Sequence, residues 1–210
     1  MLKFEKKWIG MLTALFLAVI MIGCGTPKVA PSGFLSDYSQ LRPDKEDDTV
    51  SWWEKSNIDW RKYNQFILDP VVTKIDRTQS TSDMTANEIT KLATYLREAV
   101  ANSLSDRYPI VENPGPDVMR IRAAITHLKP VSGPLNVIST TVLLTPIDAG
   151  EAALEAQFID SETNEILCEL TISSRGSLLD LARVWTRWHQ VRHTFNQWGQ
   201  KLRIALDEVH

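Results

Sequence analysis

The sequence predicts a mixed α+β domain, a sheet of about five strands with two long helices packed on one face, in the order β-α-β-β-(loop)-β-β-α. Three observations carry this expectation. Residues 85–104, and a second stretch from about Leu178 or Val184 to Glu208, space their apolar side chains as helices do, residues 119–125 and 151–172 alternate apolar with polar, and compact turn signals separate the alternating runs. A chain of 210 residues, 43% hydrophobic and 23% charged, can bury a sizeable core, which excludes a disordered or collagen-like polymer. Its formal charge of −3 lacks the basic excess that a phosphate backbone requires, so no nucleic acid is expected as a partner.

The first segment reads as an address, not as part of the fold. Lys3, Lys6 and Lys7 precede an uncharged run from Trp8 to Pro27, strongly apolar over Met11–Ile22 and ending in Met21-Ile22-Gly23-Cys24. An uncleaved transmembrane helix or a plain secretory signal would also be apolar here. The short apolar core, the small residue before Cys24 and the proline-bearing segment after it favour a bacterial lipobox cut ahead of Cys24. Cys24 then carries the lipid, because two or more acyl chains (diacylglycerol, palmitate) hold a protein stably where one holds it marginally. Gly25 follows instead of an inner-membrane-retaining aspartate, so the expected location is the outer membrane of a Gram-negative host, facing the periplasm. The reading divides the chain into residues 1–23 as signal peptide, 24–33 as lipidated cysteine and flexible tether, and 34–210 as one periplasmic α/β domain. Removing Lys3, Lys6, Lys7 and Glu5 with the signal leaves a mature charge of about −5.

Phe34–Pro43, with apolar groups at 34, 35, 38 and 41, is expected to dock on the core as an ordered strap. Asp44–Asp48 follows as a hydrated acidic loop without the pattern of a hard-metal site. Trp52, Trp53 and Trp60 either stack a sugar or lipid head group or cover the edge of the core. Tyr63–Val72 is the first strand, interrupted by Pro70. Thr85 with Glu88 forms a capping box, and Met84 with Ile89 a hydrophobic staple, so the first helix runs to Leu104 with Ile89, Leu92, Leu96 and Ala99 on one stripe.

Tyr108–Glu112 is a second short strand, closed by the turn Asn113-Pro114-Gly115-Pro116. In the third strand Met119, Ile121, Ala123 and Ile125 face inward. Arg120 and Arg122 then share the wet face, where they hold a phosphate or lipid head group or, structurally, pair with outward Glu151 or Glu155. Residues 131–146 are either another strand or a surface loop. Ala152, Leu154, Ala156 and Phe158, then Ile166, Cys168, Leu170 and Ile172, point inward from the two strands of a hairpin turned at Asp160–Asn164. Cys168 is expected as a small buried hydrophobe. The last helix carries Trp188, Val191, Phe195, Trp198, Leu202 and Leu206 on its core stripe, with Gly199 allowing close approach to the sheet. His189 and His193 have metal-ligand spacing but lie opposite that stripe without a third ligand.

No Gly-x-Ser-x-Gly elbow, His-Glu-x-x-His, Walker loop, dinucleotide fingerprint or Cys-x-x-Cys pair occurs. Glu151 and Glu155 share a strand face about 13 Å apart, too far for paired glycosidase carboxylates. The expectation is therefore no enzyme, no metal and no cofactor. In its place the sequence suggests a noncatalytic lipoprotein of the envelope that binds or helps assemble an envelope protein partner. Two alternatives stay open: a carrier of a small ligand or lipid, and an envelope hydrolase with catalytic residues drawn from distant segments. The surface residues to watch are Trp52, Trp53, Trp60, Arg120 and Arg122.

Residues 32–43 (SGFLSDYSQLRP) resemble the opening signature of the bacterial lipoprotein family known as domain of unknown function 3313. Tyr63 with Asp69-Pro70-Val71, residues 114–124 (PGPDVMRIRAA), Asp160-Ser161 with Thr163, and Phe195 with Trp198 resemble its later blocks in order. Asn164, where a turn glycine is more usual, and the Trp52-Trp53 pair depart from the pattern. The resemblance implies an exported, lipid-anchored α/β domain and assigns no reaction, ligand or catalytic residue.

Overall fold

A computed structural model describes residues 30–75, 84–129, 151–175 and 189–210. The signal segment, Cys24 and the run 131–146 lie outside these residues. Among the described residues no helix is long and apolar enough to cross a membrane.

The described strands form one sheet: β1 (Arg42–Pro43), β2 (Val50–Glu54), β3 (Gln65–Leu68), β4 (Val72–Thr73), β5 (Val118–Lys129), β6 (Glu151–Asp160) and β7 (Ile166–Arg175). Their order across the sheet is β1-β2-β7-β6-β5-β3, with β4 also paired to β5. Only β3 and β4 run parallel to their neighbour β5, as a chain crossing back through a helix requires; the other pairs are antiparallel. That helix is α1 (Ala86–Leu104), and α2 (His189–Val209) packs beside it.

The expected α+β class with two helices on one sheet face is what the chain adopts, but the sheet has seven strands and not about five, because residues 42–54 add β1 and β2 to its edge beside β7. One buried cluster joins the inner sheet face, including Phe66, Met119, Ile121, Leu154 and Phe158, to Leu92 and Leu96 of α1 and to Phe195 and Trp198 of α2. The capping box forms: the Thr85 Oγ1 accepts from the Glu88 backbone N–H at 3.2 Å, and Glu88 Oε2 accepts from the Thr85 N–H at 2.9 Å.

Several elements differ from the sequence reading. The first strand splits into β3 and β4 around Pro70, which has no N–H to donate to a ladder. The strand expected at Tyr108–Glu112 contracts to a single bridge between Ile110 and Phe66. A register shift between Ile125 and His127 marks a bulge, which brings Ile125 and Leu128 to one face and extends β5 past the point where alternation stops. Gly199 does meet a close neighbour, but that neighbour is α1. A Cβ built there would lie 2.6 Å from Ser103 Oγ and 2.9 Å from the Ala99 carbonyl oxygen, so glycine sets the helix–helix separation.

Candidate functional site

The two faces of the sheet are covered in different ways. On the inner face, a cavity of about 580 Å³ lies between β5, β6 and β7 and the α1–α2 pair, within the range of small-molecule sites. Ala123 and Ala156 stand opposite each other in its floor, and their methyl groups reach less far into the space than the neighbouring pair Ile121 and Phe158. Leu96 and Val100 of α1 and Trp198 and Leu202 of α2 form the roof.

One mouth opens along β2. Trp52 and Glu54 are alternate residues of that strand and share its inner side, opposite Leu170 and Cys168. The Trp52 indole N–H donates to Asp44 Oδ2 at 3.0 Å, and the Trp60 N–H to Glu54 Oε2 at 3.3 Å. Backbone N–H groups of Glu46 and Asp47, then the Trp52 indole, hold the Asp44 carboxyl below its ordinary pKa. Glu208 and Lys201 of α2 complete this rim, with Lys201 bonded to Asp47. At the other end lie Asp69 and Arg97, whose Nε donates to the Leu68 carbonyl at 3.1 Å. Cys168 lines the cavity, and burial, with the nearby Glu54 and Glu169 carboxylates, pushes its thiol up to about 12.

On the outer face, residues 32–38 close over two carboxylates. Glu155 Oε2 accepts from the Tyr38 hydroxyl at 2.6 Å and from Ser32 Oγ at 2.7 Å, and Oε1 accepts from the Ser32 N–H at 3.2 Å. Glu169 Oε1 accepts from the Ser36 N–H at 2.8 Å and from Gln157 Nε2 at 2.7 Å. The strap turns around the Tyr38 oxygen, which also accepts from the N–H groups of Gly33, Phe34 and Leu35 at 2.9, 3.1 and 3.3 Å. Gly33 sits at φ +76°, where a side chain is disfavoured. Glu155 and Glu169 retain 3% and 1% exposure, which corrects the expectation of a solvated outer face. Burying such charges is tolerable because each has several donors.

The five sequence-predicted surface residues do not converge. Trp52 and Trp60 stand at the cavity mouth. Trp53 faces the other way, opposite Glu169. Arg120 and Arg122 lie on the outer face, paired not with Glu151 or Glu155 but with Asp69 at 3.7 and 3.9 Å; Arg122 also donates to Gln157 at 3.2 Å and covers the Phe34 ring. The parallel strand β3 delivers Asp69 to that face, a neighbour that hairpin logic does not offer. Reading Asp44–Asp48 as merely hydrated missed Asp44 and Asp47, which organise their own turn. Among the described residues no group of three His, Cys, Asp or Glu side chains is placed to hold a metal.

These features define a class: a two-layer α+β domain with an apolar chamber between its layers and an N-terminal strap sealing the opposite sheet face. The chain belongs to the family of proteins of unknown function DUF3313, whose model matches residues 30–202. Blocks that carry the resemblance meet in space. Strap residues 32–38 grip β6 and β7, while Tyr63 donates to Asp160 and Ser161 exchanges hydrogen bonds with Gly115. No curated protein matches the sequence. Similar solved structures include the PelC dodecamer from Paraburkholderia phytofirmans, with 10% identity, 75% of this chain and 96% of that chain covered, and a TM-score of 0.46. A DUF330 protein from Xanthomonas campestris has 12% identity, coverage of 66% and 81%, and a TM-score of 0.40. A DUF4136 family protein from Bacteroides thetaiotaomicron has 8% identity, coverage of 76% and 98%, and a TM-score of 0.42.

Proposed function

We propose that this protein is a noncatalytic lipoprotein of the cell envelope, anchored through Cys24 to the periplasmic face of the outer membrane, that binds a small apolar ligand. The cavity carries the ligand part of this reading. A close-packed interior leaves few voids larger than a water molecule, and a chamber of about 580 Å³ with an aliphatic floor and an open aromatic rim departs from that norm. The polar groups around it lie at its ends, and burial holds the thiol of Cys168, on its floor, protonated at neutral pH. That arrangement suits holding a ligand better than transforming it. The anchor rests on the lipobox. On this reading an envelope protein partner delivers or receives the ligand.

The test begins with the full chain purified from membranes. Organic extraction followed by mass spectrometry is expected to release a stoichiometric apolar molecule that an Ala156→Leu variant, made and purified in parallel, does not retain. Equal recovery from both proteins would refute the cavity as the binding site. Intact-mass spectrometry of the membrane-purified protein is expected to show a chain that starts at Cys24 and carries fatty acyl groups, and a retained Met1 or an unacylated Cys24 would refute the anchor.

A further inference from the structure

The charges at the cavity ends specify the ligand further, and this step rests on the apolar-ligand reading above. At the β2 mouth the lining residues bring three carboxylates, Asp44, Glu54 and Glu208, to one rim. The lining cation of that rim, Lys201, is already bonded to Asp47, a fourth carboxylate. At the far end Arg97 is bonded to the Leu68 carbonyl and Asp69 is already shared between Arg120 and Arg122, so that end offers a cationic head no free carboxylate. The β2 mouth also presents two indoles, Trp52 and Trp60, each oriented by an N–H bond to one of those carboxylates. Trp52 is 37% exposed, among the most exposed large apolar side chains of the described residues. Aromatic faces beside carboxylates attract a desolvated cation and repel a carboxylate or phosphate head.

We infer that the cavity takes a cationic amphiphile, with its alkyl chain over Ala123 and Ala156 and an amine or quaternary ammonium head at the rim of Trp52, Trp60, Glu54 and Glu208. Chain and head are recognised by different parts of the same site, the chain by burial and the head by charge.

Cys168 on the cavity floor supplies the readout. In membranes holding the full chain at pH 9, because only the thiolate reacts, modification of the Cys168 peptide by methyl methanethiosulfonate is followed by mass spectrometry as dodecyltrimethylammonium or neutral dodecanol is added. Half-protection concentrations are compared between the native protein and a Glu54→Gln/Glu208→Gln variant, a ratio independent of any change in the basal thiol reactivity. The native protein is expected to need roughly tenfold less of the cation than the variant, the factor that two charge contacts at a solvent edge supply. Dodecanol is expected to protect both proteins at the same concentration. Equal protection by the cation in both would overturn the charge assignment while leaving the apolar-ligand reading intact. If neither amphiphile protects Cys168, or the reagent never reaches it, both fail.

Discussion

Asp160 shows how much one side chain can hold together. Its Oδ1 accepts from the backbone N–H groups of Glu162 and Thr163 in the β6–β7 turn, and its Oδ2 accepts from the Tyr63 hydroxyl at 2.7 Å and the Lys62 ammonium at 2.9 Å. Burial alone would raise its pKa, but these donors outweigh it and hold the carboxyl far below the usual carboxylate range. The same contact works the other way on Tyr63: burial and then the Asp160 hydrogen bond push its phenol up to about 12. A depressed carboxyl contributes stability that is complete above its unfolded pKa of about 3.9 and is lost as pH falls through the folded value. Thermal unfolding should therefore show a midpoint that falls steeply below about pH 4. Asp160→Asn should cost about 2–3 kcal/mol at pH 7 and flatten that acid limb, because it removes charge-assisted bonds while keeping the shape. An acid limb of unchanged steepness in the variant would show that the titrating group is elsewhere.

Among the elements, the helix pair and the strap are fastened differently. The α1–α2 contact relies on the missing side chain of Gly199, and an alanine Cβ would meet the Ala99 carbonyl of the neighbouring backbone, which cannot rotate away. Gly199→Ala should lower stability by about 1–3 kcal/mol despite alanine's better helix propensity, measured by denaturant unfolding. The strap relies on polar atoms. Tyr38→Phe removes the donor to Glu155 and the acceptor for three backbone N–H groups. It should cost about 1–3 kcal/mol and speed hydrogen exchange of residues 33–36 before the rest of the sheet. Both contacts explain what the sequence conceals. The capping box, the hairpin alternation and the α2 stripe are local patterns, and they were readable. In contrast, Glu155, Gln157 and Glu169 look solvated in an alternating strand, and only the strap crossing more than a hundred residues of sequence reveals otherwise. β2 is a five-residue strand with two consecutive tryptophans and no apolar–polar alternation to mark it, so nothing local announces the extended backbone that sends Trp52 and Trp53 to opposite faces.

At the scale of the whole molecule, the chain enters its domain across the sealed outer face, while the open chamber lies on the other side, under the helices. No window of sequence reports that chamber, because it exists where small residues of two strands, Ala123 and Ala156, meet a helix pair packed mainly against itself. An unfilled chamber forfeits dispersion contacts on every wall. The protein without ligand should accordingly gain, not lose, when it is filled. Ala123→Leu or Ala156→Leu is expected to raise the unfolding midpoint of the ligand-free protein by about 2–4 °C, corresponding to roughly 1 kcal/mol in a chain of this size. The native protein should reach a larger rise by another route: a ligand at a hundredfold excess over its Kd adds about 2.7 kcal/mol, hence about 5–10 °C. The filled variants should have lost most of that second rise, since the leucine and the ligand compete for one volume. A leucine that lowers the midpoint would mean the walls cannot accept it, and a ligand response that survives in both variants would place the binding outside the Ala123–Ala156 floor.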